Sequence, residues 1–125
     1  MNRKIDTTKA PAAIGPYSQA IEAGNTVYIS GQLPLNPATG KFESDDIRTL
    51  TRQTLTNIKN ILQQAGLTMT DVVKTTVMMT DINDFAVMNE VYTEFFAEPF
   101  PARSAFAVKS LPKGGRLEIE CIAVK

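Results

Sequence analysis

One arginine stands in a segment that otherwise consists mostly of proline, alanine and phenylalanine. Arg103 lies within "PFPARSAF", residues 99–106, and two glutamates, Glu118 and Glu120, follow in "LEIE". A guanidinium can form two parallel hydrogen bonds with a carboxylate, and the interaction strengthens where water is excluded. Arg103 is therefore a candidate anchor for an organic acid. The alternative is structural: Arg103 pairs with a glutamate of its own chain, and Glu118 and Glu120 lie on an exposed strand.

The absence of one residue type narrows the possible chemistry. The 125 residues include no histidine and a single cysteine, Cys121. The usual general base, the usual metal ligand and every Ser–His or Cys–His nucleophile pair are therefore excluded. One cysteine cannot form an intramolecular disulfide, which is typical of a reducing compartment. We expect a cytoplasmic protein without a metal or another cofactor, in which Cys121 faces the core and is unreactive.

Charge and hydropathy disfavour two classes of partner. Lysines and arginines number 13, and so do aspartates and glutamates, so the chain lacks the basic surplus of a typical nucleic-acid-binding protein. No apolar run approaches the roughly 20 residues that cross a bilayer. The N-terminal stretch is polar and interrupted by proline, unlike a signal peptide. We expect neither a nucleic acid nor a membrane as a partner.

The spacing of apolar residues predicts the elements that position these side chains, within a single domain over residues 1–125. After a short strand in "RKIDT", a hairpin turns at residues 23–25. The first helix runs from about Ser44 to Ala65, and a second begins at residue 83 or 84. With further strands in "VVKTTVMMT", "ARSAFAVK" and "RLEIECIAVK", and with the short strand in "RKIDT" left out of the count, the order is β-β-α-β-α-β-β. This order favours the α+β class, with one mixed sheet and two helices packed on one face.

The last two strands are predicted to form a hairpin around "SLPKGG". Alternation along them would place four residues under the helices: Phe106, Val108, Leu117 and Ile119. The open face would then carry a mixture of ionic and apolar residues: Arg103, Ala105, Ala107, Glu118, Glu120, Ile122 and Val124. In the simplest register Glu118 lies opposite Ala107, and Arg103 lies roughly 13 Å away, near Ile122. A face of this mixed kind is typical of contact with another subunit.

Six segments together resemble the RidA family, also called the YjgF family, and they cover nearly the whole chain in the family's order: "APAAIGPYSQA", "SGQLPLNPATG", "TLTNIKNILQQAG", "VVKTTVMMTDINDFAVMNEVY", "PARSAFAV" and "LPKGGRLEIECIAV". The resemblance implies a fold like that of small chorismate mutases. It also implies a homotrimer whose three sheets form a central barrel, with active clefts between subunits. Family members hydrolyse 2-iminobutanoate and 2-iminopropanoate to 2-oxo acids and ammonia, so small 2-imino and 2-oxo acids are the expected ligands.

The resemblance also implies roles for individual residues. Arg103 would grip the substrate carboxylate with help from the backbone amide of Ala105, and Glu118 would position the attacking water. Four more residues would line the cleft: Tyr17, Ser30, Gly31 and Asn89. Many family members have cysteine at the position of Ala105, and Glu120 remains an alternative to Glu118.

The implied chemistry suits a chain without histidine. A protonated imine is already electrophilic, so the barrier need only be lowered modestly, at about 1.4 kcal/mol for each tenfold gain in rate. Two other functions remain as alternatives. One is a non-catalytic regulator or chaperone that binds small carboxylates on the same scaffold. The other is a ribonuclease or translation inhibitor, which the zero net charge and the lack of histidine disfavour.

Overall fold

A computed structural model describes residues 2–125 as a layer of two helices on one mixed sheet. The helices are α1 (Ile47–Gln64) and α2 (Phe85–Phe95). The strands are β1 (Arg3–Ile5), β2 (Ala20–Ala23), β3 (Thr26–Gln32), β4 (Leu35–Asn36), β5 (Lys41–Phe42), β6 (Val72–Met79), β7 (Ala102–Ala107) and β8 (Leu117–Val124). The predicted α+β class, with two helices and a mixed sheet, is confirmed.

The main sheet has six strands in the order β1-β2-β3-β8-β6-β7. All neighbouring pairs are antiparallel except β6 and β7, which run parallel. The β2–β3 hairpin turns where the sequence predicts, through Gly24 at φ +61°. β4 and β5 form a separate two-stranded ribbon that the sequence analysis did not predict.

Helix α1 begins and ends at local signals. The Asp46 carboxylate accepts a hydrogen bond from the Thr49 backbone N–H at 3.0 Å and so caps the N-terminus. At the other end Gly66 adopts φ +78°, and the Leu67 N–H donates to the Leu62 carbonyl at 2.8 Å. A left-handed residue at this position terminates the helix. The predicted range from about Ser44 to Ala65 is therefore confirmed to within a few residues.

The core lies between the helices and the sheet. Several of its side chains are completely buried, among them Leu55, Ile58, Val77, Leu117 and Ile119. Cys121 is also buried on this side, as predicted. Burial, with a smaller contribution from the charge of Glu120, raises the pKa of the Cys121 thiol to about 12. The thiol is therefore inert at neutral pH.

The two C-terminal strands do not form a hairpin, so that prediction is wrong. β6, α2 and β7 form a β-α-β unit, whose crossover helix returns the chain parallel to its first strand. The segment from 108 to 116 then passes β6 and delivers β8 between β3 and β6. Glu118 consequently lies opposite Met78 rather than Ala107.

The predicted faces of β7 are reversed. Arg103 pairs in register with Thr75 and Ala105 with Val77, and both β6 residues are buried under the helices. Alternation places Ala107 on this same side. Phe106 is 44% exposed on the open face, whereas Val108 follows the strand and is half-buried. The physical reason is the parallel pairing with β6, which sets Arg103, Ala105 and Ala107 in register with residues that the helices bury.

The predicted faces of β8 are confirmed. Leu117 and Ile119 are fully buried, and alternation turns Glu118 and Glu120 to the open face. Arg103 and Glu118 therefore project from opposite sides of the sheet. This arrangement contradicts the expectation that the two share its open face.

Candidate functional site

The guanidinium of Arg103 is held against one side of α2. Its central carbon Cζ lies 5.2 Å from the ring centroid of Phe85 and 4.9 Å from that of Tyr92. Its Nη1 donates a hydrogen bond to Oδ1 of Asn89 at 2.6 Å. We call Arg103, Phe85, Asn89 and Tyr92 the arginine cluster. All three helix residues are neutral, so the cluster keeps the positive charge of its arginine.

The structural alternative for Arg103 is wrong within the described residues. Each ion pair in residues 2–125 uses another cation, as in Arg48–Glu90 and Arg52–Glu94 between the helices. Arg103 instead remains exposed at the edge strand β7. A guanidinium presents five N–H donors, and the contact with Asn89 engages Nη1 alone. Most of its capacity to bind an anion is therefore available.

Glu118 lines a cavity of about 640 Å³ beside β3 and β8. Its carboxylate packs so closely on Gly31 that a Cβ there would lie 2.9 Å from its Cδ and Oε2 atoms. The absence of a side chain at Gly31 therefore makes room for the carboxylate. Glu120 lines the same cavity. We call this cavity, with Glu118, Glu120 and Gly31, the acidic cavity.

The environment of Glu118 favours its protonated form. Burial is the main cause that raises the pKa of this carboxyl, and the negative charge of Glu120 adds to it. Among residues 2–125, no lysine or arginine forms an ion pair with either glutamate. The acidic cavity thus holds a half-buried carboxylate beside a like charge, an arrangement suited to a cationic ligand atom.

The other predicted residues are divided between the two regions. Tyr17 and Ser30 line the acidic cavity together with Gly31, whereas Asn89 belongs to the arginine cluster. Tyr17 is 53% exposed, and the Ser30 hydroxyl donates to the Ser18 carbonyl at 2.6 Å. Ala105 lies on β7, two residues beyond Arg103, and its side chain packs against the core.

A single amide shapes the wall of the acidic cavity that contains Tyr17. Gln19 is almost fully buried, and its Oε1 accepts from the Thr7 N–H at 2.8 Å. Its Nε2 donates to the carbonyls of Thr7 at 3.0 Å and Pro11 at 2.8 Å. These bonds fix the irregular segment 7–19 over the cavity, although it contains no helix or strand.

The two charged groups are too far apart to share one small molecule within a chain. Arg103 lies in the row of Thr75, and Glu118 lies in the row of Met78, three residues further along β6. The rows are separated by about 10 Å, and two strand spacings add about 10 Å sideways. The side chains also lie on opposite faces, so Arg103 and Glu118 of one chain cannot contact the same small molecule.

Two functional candidates were missed at the sequence level. Asn89 on the second helix is among the predicted site residues, but neither Phe85 nor Tyr92, which pack beside the core, is among them. A signal was available, because residues 85, 89 and 92 recur at the i, i+4, i+7 spacing of one helix face. Spacing alone did not show that this face meets β7.

Two classes of site find no support within residues 2–125. No group of three or more cysteine, aspartate or glutamate side chains is arranged to hold a metal ion there. No helix in that range is long and apolar enough to cross a membrane.

Comparison with known proteins settles the family. The sequence model of a family described as Endoribonuclease L-PSP matches residues 7–125. The chain belongs to this family, the RidA/YjgF family. A curated relative from the goat Capra hircus, named 2-iminobutanoate/2-iminopropanoate deaminase, is 54% identical over 125 residues, which span 100% of this chain and 91% of the relative.

Solved structures of RidA/YjgF proteins share the fold. RidA from the Antarctic bacterium Psychrobacter sp. PAMC 21119 is 50% identical and superposes with a TM-score of 0.95, covering 98% of this chain and 99% of its own. E. coli TdcF, solved with bound serine, is 47% identical with a TM-score of 0.93 and 98% coverage of both chains. At these identities the family resemblance inferred from the six segments is confirmed.

Proposed function

We propose that this RidA/YjgF chain is a deaminase that hydrolyses reactive 2-imino acids, such as 2-iminobutanoate and 2-iminopropanoate, to 2-oxo acids and ammonia. One observation carries the proposal: within residues 2–125, neither the cation of Arg103 nor the carboxylate of Glu118 has a counter-ion. A protonated 2-imino acid carries the complementary charges, a carboxylate and an iminium group. The name of the goat relative agrees with this substrate class.

Each step then has a group that performs it. Arg103 binds the substrate carboxylate through two hydrogen bonds and orients the molecule, and the backbone amide of Ala105 assists. Glu118 accepts a hydrogen bond from a water molecule and directs it at the imine carbon. Addition of the water oxygen to the imine carbon opens the C=N π bond and gives a carbinolamine, while one water proton passes to Glu118. Collapse of the carbinolamine forms the C=O bond and breaks the C–N bond; the nitrogen takes the proton back from Glu118 and leaves as ammonia, and the hydroxyl proton is released to solvent. Tyr17, Ser30, Gly31 and Asn89 line the cleft, and the reaction needs no metal or other cofactor.

The complete cleft forms between copies of the chain. Arg103 of one protomer meets Glu118 of the next, because a single chain holds them on opposite faces. The open sheet face supports such contact, since it exposes Tyr28 by 50% and Phe106 by 44%. In a homotrimer the three open faces line a central barrel, so these apolar side chains are buried against their neighbours.

Turnover is tested by coupling the protein to a threonine dehydratase and following 2-oxobutanoate. Wild-type protein is expected to accelerate its appearance, because imine hydrolysis becomes catalysed. Arg103→Ala should lower the catalysed rate about 100-fold or more, since it removes the carboxylate anchor. Arg3→Ala is the matched control, because Arg3 is an exposed arginine that pairs with Glu22, lies at the opposite edge of the sheet from β7 and does not line the acidic cavity. No acceleration by wild-type protein contradicts the proposal.

The shared cleft is tested by mixing two inactive variants. Arg103→Ala and Glu118→Gln chains are refolded separately and then together in equal amounts. In random mixed trimers about one quarter of the clefts receive an intact Arg103 and an intact Glu118 from different chains. We expect about a quarter of wild-type activity to return. A mixture as inactive as its parents contradicts a cleft between subunits.

The alternative of a non-catalytic regulator predicts a different result from the same proteins. A regulator that only binds small carboxylates would bind 2-oxobutanoate in the wild type and in Glu118→Gln, with no turnover by either. The nuclease reading in the family's description has less support in this chain. It lacks histidine and a basic surplus, and the acidic cavity carries two carboxylates against one lysine, Lys113, which disfavours a phosphate backbone.

A further inference from the structure

The arginine cluster holds its cation in an unusual way for a surface side chain. A long arginine at an edge strand normally samples many rotamers, and ordering it costs entropy when a ligand binds. Here Phe85, Asn89 and Tyr92 line one side of α2 and all contact the guanidinium of Arg103. The side chain is therefore ordered before any ligand arrives.

The ring of Tyr92 is itself anchored from the sheet. Its hydroxyl lies 2.8 Å from the hydroxyl of Thr75, and both residues are buried. Thr75 is the residue that pairs with Arg103 across β6 and β7. The ring also packs on Phe96, with centroids 4.5 Å apart. Neighbours on the sheet and the helix therefore fix Tyr92 beside the arginine.

The chemistry of these contacts suits a binding arginine. A glutamate beside Arg103 would order it equally well, but it would also occupy the N–H donors and neutralise the charge that an anion must meet. Aromatic rings attract a cation through their quadrupole and accept little hydrogen bonding in return. Asn89 contributes one neutral acceptor. The cluster thus orders the guanidinium while leaving its charge in place.

We propose that Phe85 and Tyr92 are positioning residues that hold Arg103 in its carboxylate-binding orientation. The inference rests on the proposed function, in which Arg103 is the carboxylate anchor. Neither ring needs to touch the substrate, since each acts through the guanidinium. The loss of a ring should therefore weaken binding of any small 2-oxo or 2-imino acid and change the chemical step less.

Phe85 is the position for the decisive variant. It is only half-buried at the first turn of α2, so Phe85→Leu should fold, whereas replacement of the almost fully buried Tyr92 by leucine endangers the core. Phe85→Leu is expected to raise KM by about threefold to thirtyfold, the range for a lost cation–π contact, with kcat changed by less than about threefold. Phe85→Trp, which restores a ring, should bring KM back toward the wild-type value.

Two further proteins separate positioning from packing. Phe95→Leu removes the same atoms from another half-buried phenylalanine of α2 that does not contact Arg103, so its KM should equal that of the wild type. Tyr92→Phe keeps the ring and removes the bond to Thr75, and it should raise KM less than Phe85→Leu. Equal KM increases in Phe85→Leu and Phe95→Leu would reduce the effect to packing and overturn the proposal.

A spectroscopic readout tests the orientation without turnover. The Nε–H proton resonance of Arg103, assigned by its loss in Arg103→Lys, should be displaced by ring currents in the wild type and should shift in Phe85→Leu. Binding of 2-oxobutanoate is titrated in the same samples. In a double-mutant cycle, Phe85→Leu should weaken binding much less in the Arg103→Lys background, because its effect passes through the guanidinium.

The outcomes distinguish this inference from the proposed function. An unchanged Nε–H resonance in Phe85→Leu, or an additive cycle, overturns the positioning role even if the wild type is an active deaminase. A wild type that lacks turnover but binds 2-oxobutanoate, with weaker binding and a shifted resonance in Phe85→Leu, overturns the proposed reaction and supports the positioning role.

Discussion

The arginine cluster and the acidic cavity differ in how they surround a charged side chain. In the cluster, neutral partners surround a cation and leave its charge uncompensated. In the cavity, a half-buried carboxylate lies near a second carboxylate, which raises its pKa. Direct contacts order the arginine cluster. The acidic cavity is instead shaped by the lack of a side chain at Gly31 and by the irregular segment 7–19. In the proposed reaction, the arginine cluster binds the substrate carboxylate and the acidic cavity directs the water, so the two tasks fall to separate surfaces of the chain.

The largest expected effect comes from the carboxylate itself. Glu118→Gln should lower kcat about 100-fold or more, because an amide orients and polarises water far less well than a carboxylate. Binding of 2-oxobutanoate should change little, since Arg103 is the proposed carboxylate anchor. Glu120→Gln is the comparison, measured in the same coupled assay. A larger loss in Glu120→Gln than in Glu118→Gln would make Glu120 the working carboxylate.

The raised pKa of Glu118 extends this prediction to pH. In the proposed reaction Glu118 acts in its ionised form, so activity should fall as the pH drops through a value above 4.5, the ordinary carboxyl pKa. Glu120→Gln removes one of the two causes of the shift and should move this acid limb to lower pH. If the acid limb of the pH–activity profile lies at the same pH in Glu120→Gln and in the wild type, the charge of Glu120 does not act on Glu118.

The raised pKa of Glu118 also predicts that Glu118→Gln is more stable than the wild type at neutral pH. The folded state binds the Glu118 proton more tightly than the unfolded state, so the free energy of unfolding falls as the pH rises between the two pKa values. Glu118→Gln removes this cost and should melt at a higher temperature than the wild type at neutral pH. The difference should disappear below pH 4.5, where both states are protonated. A lower melting temperature at neutral pH contradicts the assignment.

An intermediate effect is expected at the glycine that borders the cavity. A Cβ at residue 31 would lie 2.9 Å from the Glu118 carboxylate, so Gly31→Ala must displace it and should lower kcat/KM by about tenfold. Gly24→Ala is the comparison. A Cβ at residue 24 would meet no other atom, but φ +61° is a backbone conformation that alanine rarely adopts. That variant should lose about 1 kcal/mol of stability and keep its activity. Similar activity losses in both would indicate general disruption.

The smallest effect is expected between the helices. Arg52 pairs with Glu94 through two hydrogen bonds on the surface, at 3.0 and 2.9 Å. Arg52→Ala should cost less than about 1 kcal/mol in denaturant unfolding, because an exposed ion pair is weak. Its kcat and KM should match the wild type, since this pair lies outside both regions. A clear rise in KM would mean that the placement of α2 limits the arginine cluster.

Local patterns predicted the elements, and non-local contacts decided the rest. The β2–β3 hairpin and both helices depend on nearby residues such as Gly24 and Asp46, so their signals lie within a few positions. The place of β7 depends on the parallel crossover through α2, which no short pattern contains. That one error reversed the face of Arg103 and hid its contacts with Phe85 and Tyr92.

The site residues were named from resemblance more than from geometry. The family segments pointed to Arg103 and Glu118, but the predicted hairpin placed both on one face of one chain. Only the strand order shows that they are separated, and this separation is the basis for the proposed contribution of a second chain. Composition and apolar burial could not reveal the separation of Arg103 and Glu118, because the predicted hairpin and the observed strand order bury a similar apolar core.

One buried amide has a consequence for how this scaffold can change over evolution. Gln19 holds the ends of segment 7–19, while Ile14 and Tyr17 between them stay exposed above the cavity. Substitutions at the tip of that segment can therefore alter which ligand side chains are admitted without disturbing any strand pairing. The ligand preference can therefore change while the sheet stays the same, because Gln19 fixes the segment independently of the residues at its tip.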